Sequence, residues 1–226
     1  MNQTVTDPAA EPAVPSYPRP LFVFSLLYGG MTVLAGVLGF KQVALGPLAV
    51  ESGIFAFLML VVLSSTVAQL YGRKTADRMV LWGFLPLAVS IAVIFLVLAL
   101  PASPDMPAEN LAAFERVLGS TPRIMAAGPV AYGVSLFLNV WIFSILRGQA
   151  EFTNGSWMLV RGAIASALSQ VVDTVIFITL AFYGQFPIRD LLIGQMIAKV
   201  VLSIVLVPPL IALGVAFAHH LDRRPR

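Results

Sequence analysis

The sequence predicts an all-α integral membrane protein with six transmembrane helices, and three observations lead to this fold class. First, 58% of the 226 residues are hydrophobic and only 11% are charged, whereas soluble domains carry about 25% charged residues. Second, the mean hydropathy is +0.89, and the apolar residues fall into runs long enough to cross a bilayer, which takes about 20 residues. Third, the basic residues lie at the ends of these runs, where topology signals are found in membrane proteins.

The predicted spans divide the chain into three parts. The spans cover roughly 21–40, 53–71, 79–101, 123–146, 157–183 and 190–217. Residues 1–20 contain several prolines and lack the basic and apolar regions of a signal peptide, so they are expected to form a disordered cytoplasmic N-terminus. Residues 21–217 are expected to form the six-helix transmembrane domain, and residues 218–226 a basic cytoplasmic tail.

Two of the connections have predicted structure of their own. The first connection, FKQVALGPLAVESG, alternates valine and leucine around Gly46-Pro47, which predicts a small hairpin over one mouth of the bundle. The third connection is long, and residues 108–118 are expected to form a short amphipathic helix between two proline-containing stops.

The distribution of lysine and arginine predicts the orientation. One side of the membrane receives Arg19, Arg73, Lys74, Arg78, Arg147, Arg161, Arg223, Arg224 and Arg226. The other side receives Lys41, Arg116, Arg123 and Arg189. The side with more basic residues is expected to be the cytoplasm, so both termini are cytoplasmic. Since topology accounts for the net charge of +3, no nucleic-acid partner is expected, and the surrounding partner is the lipid bilayer.

Polar residues form a stripe along each of four predicted helices. The stripes consist of Ser65 and Gln69; Ser135 and Asn139; Ser166, Ser169, Gln170 and Asp173; and Gln195, Lys199 and Ser203. Spacings of three and four residues place side chains on one helix face. If these faces point inward, they enclose a polar cavity. The serines and amides of such stripes also serve as hydrogen-bonding contacts between membrane helices, and both interpretations are open at this stage.

The two charged members of the stripes are expected to meet. Asp173 lies ~15 Å from the external end of the fifth span, and Lys199 lies ~14 Å from the external end of the sixth, at 1.5 Å per residue. Consecutive spans with a short connection pack antiparallel, and an ion pair lowers the cost of burying either charge. Arg161 is ~18 Å from Asp173 along the same helix, near the cytoplasmic interface, where it can also be an anchor that reaches to the headgroups.

The composition argues against an enzyme. The chain has no cysteine, and its histidines, His219 and His220, both lie in the C-terminal tail. A thiol site, a cysteine-ligated metal and an intramembrane Ser–His or paired-Asp protease therefore cannot be assembled. There is no Walker-type glycine loop for ATP hydrolysis. Neither a cofactor nor a metal is expected.

Several segments resemble the queuosine precursor transporters of the vitamin uptake transporter group. The resemblance begins with FKQVALGPLAVESGIFAFLMLVVLSSTVAQLYGRKTADRMVLWGF and continues with PRIMAAGPVAYGVSLFLNVWIFSILR, SWMLVRGAIASALSQVVDTVIFITLAFYG and GQMIAKVVLSIVLVPPL. It implies a multi-pass protein of the cell inner membrane. The implied activity is import of 7-deazaguanines such as preQ0 and preQ1 for salvage into tRNA modification.

The resemblance also implies a substrate-binding set. Asp173, Lys199, Arg161 and Arg123 match the family pattern, whereas Ser65, Gln69 and Asn139 stand where many members have acidic residues. Asp173 would bind the ring N–H and exocyclic amine of the deazapurine, since a carboxylate accepts two parallel hydrogen bonds. The remaining implied contacts come from Asn139, Gln170, Ser169, Gln69, Lys199, Arg161 and Arg123.

One alternative function belongs to a class of proteins with the same number of spans and a similar chain length. A substrate-binding subunit of a multi-component vitamin importer, driven by separate ATPases, fits the sequence equally well. Transport by this chain alone would separate the two functions. Whether the chain forms a homodimer is open.

Overall fold

The computed structural model describes residues 18–148 and 155–222, and within them the chain is almost entirely helical. The elements in chain order are α1 (Arg19–Leu38), β1 (Gln42–Leu45), β2 (Leu48–Glu51), α2 (Ile54–Tyr71), α3 (Arg73–Ala99), α4 (Ala108–Gly148), α5 (Gly155–Phe182), α6 (Arg189–Val205) and α7 (Val207–Asp222). Residues 1–17 of the predicted N-terminus and 223–226 of the predicted tail lie outside the described residues, whereas residues 218–222 of that tail are the end of α7.

The predicted class, an all-α integral membrane protein, agrees with the length and apolarity of the described helices. Arg19–Leu38, Ile54–Tyr71 and Arg73–Ala99 are each long and apolar enough to cross a membrane, and α6 with α7 makes a fourth if the bent pair is one span. On α3, large side chains such as Leu81, Trp82 and Leu96 are mostly exposed. An apolar exposed face of this kind is what lipid contact requires. The chain is therefore a multi-pass membrane protein.

The predicted amphipathic helix 108–118 is wrong as a separate element. Those residues are the first part of α4, which continues without interruption through Pro122 and Pro129. Just before the first proline, the hydroxyls of Ser120 and Thr121 donate to the carbonyls of Arg116 and Val117. Proline is tolerated within membrane helices because neighbouring groups compensate for the missing N–H.

The single span predicted for 190–217 is also wrong in detail. It consists of α6 and α7, which are bent by 48° at Leu206. Pro208 and Pro209 follow directly in the first turn of α7. Proline fits a first turn, where its missing N–H has no helical partner, but it cannot donate a backbone hydrogen bond to the carbonyls of the preceding helix.

The predicted hairpin is confirmed. β1 and β2 pair antiparallel with Leu45 opposite Leu48, so Gly46 and Pro47 form the tip, and Gly46 has a φ of 60°. The hairpin is also part of the protein interior, because Val50 of β2 is fully buried and packs with Ile54 at the start of α2 and with Ala198 of α6. Gly194 allows this approach, since a Cβ there would collide with the carbonyl of Ala49.

The helices pack around α1, which contacts α2, α3, α4 and α7. One apolar cluster joins α1, α2 and α3 through Phe24, Leu63 and Met79. A second joins α4, α5 and α6 through residues such as Ile124 and Ile178. The two clusters lie on either side of a space between the helices, which is the candidate site.

Candidate functional site

A cavity of about 180 Å³ lies between α1–α6 and the hairpin. A single water needs about 10–15 Å³ by the same kind of measure, so the cavity has room for a small molecule. The polar and aromatic side chains of its wall are Glu51, Asp173, Lys199, Gln195, Thr32, Ser64, Tyr28, Phe57, Phe84, Tyr132 and Phe177. An apolar wall with few polar groups is typical of a small-molecule site.

Asp173 and Lys199 form an ion pair in the wall of the cavity. Nζ of Lys199 lies 2.8 Å from Oδ2 of Asp173, and the two side chains are 6% and 14% exposed respectively. The hydroxyl of Ser135 on α4 has two acceptors for its one proton, the carbonyl of Tyr132 at 3.0 Å and Oδ1 of Asp173 at 3.4 Å. Nζ of Lys199 also lies 4.6 Å from the centre of the Phe57 ring. The predicted meeting of these two charges is confirmed.

Glu51 is a second carboxylate in the wall, and the sequence prediction missed it. It is the last residue of β2 and only 3% exposed. Its Oε1 accepts a hydrogen bond from the backbone N–H of Gly53 at 2.7 Å. Burial in the hairpin raises the pKa of Glu51 from 4.5 to about 7, against the lowering effects of that hydrogen bond, of Lys199 and of Gln195.

Gln195 connects Glu51 to α6. Its Oε1 accepts a hydrogen bond from the backbone N–H of Glu51 at 3.0 Å, and its Nε2 donates to Oε2 of Glu51 at 3.2 Å. The sequence predicted that Gln195 lies on a polar stripe. In the structure Gln195 lies in the cavity wall, one turn before Lys199. The sequence marks Glu51 only as the one acidic residue between Glu11 and Asp77, and this isolation does not show that it lies in the wall.

The other predicted site residues differ in their burial and in their position relative to the cavity wall. Ser169 is buried and Gln170 half-buried on α5, one turn before Asp173. Gln69 is exposed near the end of α2, and on that helix Ser64 is the polar residue that faces the cavity. The side chains of Asn139 and Arg161 lie outside the described part of the structure.

Arg123 closes the end of α5 and does not line the cavity. Its Nε donates to the carbonyl of Leu180 at 2.6 Å, and its Nη2 donates to the carbonyl of Tyr183 at 2.8 Å. The last carbonyls of a helix have no partners within the helix, and a cation is favourable at that end of the helix dipole. Through these two hydrogen bonds, Arg123 joins α4 to the end of α5.

The wall of the cavity therefore offers two carboxylates, one ammonium and several aromatic rings. A carboxylate can accept two parallel hydrogen bonds from neighbouring N–H donors, and hydrogen bonds to a charged acceptor are the stronger kind. Aromatic rings provide flat apolar faces against which a planar ring can stack. The arrangement suits a planar nitrogen heterocycle that presents N–H donors at one edge.

Comparisons with known proteins agree with a transport role. A family model described as "Putative vitamin uptake transporter" matches residues 51–213. A protein of Bacillus subtilis (strain 168) named "Probable queuosine precursor transporter" is 29% identical over 160 residues, which are 70% of this chain and 68% of that protein. No solved structure matches the chain significantly.

Proposed function

Because the chain belongs to the vitamin uptake transporter family, we propose that it imports 7-deazaguanine precursors of queuosine, such as preQ0 and preQ1, across the inner membrane. The name of the Bacillus subtilis relative supports this substrate class. The proposal has its structural support in one feature, the ion pair of Asp173 and Lys199 in the cavity wall.

Asp173 is the proposed recognition group for the ligand. A 7-deazaguanine has a ring N–H and an exocyclic amine side by side, and a carboxylate can accept both. Lys199 holds the carboxylate of Asp173 in position through the ion pair at 2.8 Å. The hydroxyl of Ser135 on α4 lies 3.4 Å from the same carboxylate.

Further contacts to the ligand would come from the rest of the wall. Phe57 and Phe177 offer faces for stacking. Asn139 stays in the proposal as a hydrogen-bonding partner. Gln69 and Arg123 have less support as ligand contacts, because Gln69 is exposed and Arg123 donates to the carbonyls of Leu180 and Tyr183.

The proposed topology has six spans, with α6 and α7 together as the last one and both termini in the cytoplasm. The chain has no cysteine, so single cysteines can report the side directly. In intact cells, a membrane-impermeant maleimide is expected to label Ser103→Cys, between α3 and α4, and not Lys74→Cys. Both positions are exposed. The reverse labelling would contradict the orientation.

Import is tested in a strain that cannot synthesise the precursor and lacks its own importer. With added preQ0, queuosine in tRNA is the readout. Wild type is expected to restore queuosine, and Asp173→Asn and Lys199→Ala are expected to reduce precursor uptake at least tenfold, because each removes a charged contact. Asp77→Asn is the matched control, since Asp77 pairs with Arg73 on the exposed surface of α3.

Two results would contradict parts of this proposal. Normal uptake by Asp173→Asn at wild-type expression would mean that the site is elsewhere. Uptake in cells but not in proteoliposomes containing this chain alone would favour the substrate-binding subunit of a multi-component importer.

A further inference from the structure

Glu51 is a buried carboxylate, and within the described part of the chain its hydrogen-bond donors are neutral. The backbone N–H of Gly53 donates to Oε1, and the amide of Gln195 donates to Oε2. The carboxylate lies in the cavity wall and is 3% exposed. A buried charge of this kind requires either a counter-ion or a proton.

The cavity contains too few cations for its carboxylates. Among the described residues of its wall, Glu51 and Asp173 are the acids and Lys199 is the only base. Lys199 is already in contact with Asp173 at 2.8 Å. When both acids are ionised, the wall therefore carries one unbalanced negative charge, which is expensive inside a membrane protein.

The other groups around Glu51 do not supply the missing charge. Lys199 of α6 acts on Glu51 only through space. Tyr28 of α1 and Tyr132 of α4 are the remaining titratable side chains in the described wall, and a phenol carries no charge at neutral pH. Lys41, before the hairpin, is exposed. Burial raises the pKa of Glu51 to about 7, which agrees with the charge balance.

We propose that Glu51 is the proton-binding residue of the transport cavity and that one proton enters together with each imported ligand. This inference rests on the proposed transport function. Water on the external side supplies the proton, which binds the carboxylate of Glu51. Release to the cytoplasm restores the carboxylate, so no other reactant is needed.

The contacts of Glu51 link its proton to the hairpin. Gln195 holds β2 against α6 through hydrogen bonds with both the backbone and the carboxylate of Glu51. A hydrogen bond to an ionised acceptor is roughly twice as strong as one between neutral groups. Protonation therefore weakens the attachment of the hairpin to α6 and at the same time removes the excess charge of the cavity.

The first test measures accumulation in proteoliposomes. The probe is the electrically neutral 7-cyano-7-deazaguanine, with the membrane potential clamped and an inward gradient of one pH unit. Wild type is expected to accumulate the probe up to about tenfold, since one pH unit per proton corresponds to a factor of ten. Glu51→Gln is expected to lose accumulation, and Glu115→Gln, at an exposed position of α4, should keep it.

The outcomes separate the two proposals. Wild type that equilibrates the probe without accumulating it would overturn the role of Glu51 and leave the transport function intact, as would accumulation by Glu51→Gln. Absence of any uptake by wild type would count against the transport function itself.

A second measurement tests proton binding without transport. Infrared difference spectra of the purified protein should show a carboxylic acid that titrates near neutral pH in wild type and is missing in Glu51→Gln. In Gln195→Met, the titration should move up by about one pH unit, because the carboxylate loses a donor. A titrating signal that persists in Glu51→Gln, or no signal in wild type, would overturn the proposal.

Discussion

Glu51 and Gln195 lie 144 residues apart in the chain and are joined by two reciprocal hydrogen bonds in the buried interior. The backbone N–H of Glu51 donates to Gln195, and the amide of Gln195 donates back to the carboxylate. This pair attaches the hairpin to α6 one turn before Lys199. It places a carboxylate from the hairpin in the same cavity wall as the ion pair of Asp173 and Lys199.

The pH dependence of stability is expected to change when Glu51 is replaced by glutamine. Because the pKa of Glu51 is raised from 4.5 to about 7 by burial, ionisation of Glu51 destabilises the folded state. The destabilisation is absent below about pH 4.5, grows as pH rises to about 7, and is constant above it. It amounts to about 3 kcal/mol at most.

Thermal unfolding in detergent at several pH values checks this prediction. The melting temperature of Glu51→Gln minus that of wild type should increase from pH 5 to pH 8, whatever the size of this difference at pH 5. Glu115→Gln is the control with an exposed glutamate. A difference that does not vary with pH would contradict a raised pKa.

Gly194→Ala is expected to displace the hairpin. A Cβ at position 194 would collide with the backbone carbonyl of Ala49, whereas a Cβ at Gly30 of α1 meets nothing within 4 Å. Overpacking of a tight contact costs about 1–3 kcal/mol, while alanine at an open helical position gains up to about 1 kcal/mol over glycine. Thermal unfolding should thus show a lower melting temperature for Gly194→Ala and an equal or higher one for Gly30→Ala. Equal effects of the two substitutions would be evidence against the tight hairpin contact.

The Asp173–Lys199 pair could be predicted because helix geometry fixes the depth of both residues and an ion pair lowers the cost of burying either charge. Both residues lie at similar depths from the ends of two consecutive helices, and the rise per residue determines depth. The hairpin was predictable for a similar reason, since Gly46-Pro47 between alternating residues is a local signal. Glu51 was not predictable as a wall residue, because its position depends on packing between hairpin and α6.

The rotation of α2 about its axis could not be predicted from the sequence, for a different reason. In a soluble helix the polar face marks the outside, but a membrane helix is apolar toward both lipid and protein. Successive residues differ by about 100° around the axis. Ser64 faces the cavity and Gln69 is exposed, so the predicted stripe of Ser65 and Gln69 had the wrong rotation.

The ion pair is expected to show strong coupling in a double-mutant cycle. Lys199→Met leaves Asp173 buried without a counter-ion, and breaking a buried pair in this way costs about 3–5 kcal/mol. Adding Asp173→Asn removes the remaining charge, so the double variant should be more stable than Lys199→Met alone. Thermal unfolding gives the coupling, and the uptake assay should show that the double variant stays inactive. Additive effects on the melting temperature would mean that the pair is not formed.

Arg123→Ala is expected to lower stability without changing ligand affinity. The guanidinium satisfies the carbonyls of Leu180 and Tyr183 at the end of α5, and losing hydrogen bonds from a charged donor costs about 1.5–3 kcal/mol. Because these carbonyls are partly accessible to water, the lower part of that range is expected.

The resemblance to the transporter family implied a contact between Arg123 and the ligand instead, and the two roles predict different results. If Arg123 only joins α4 to α5, the melting temperature should fall while the KM for uptake stays within about twofold of wild type. A KM raised tenfold with an unchanged melting temperature would support a contact between Arg123 and the ligand.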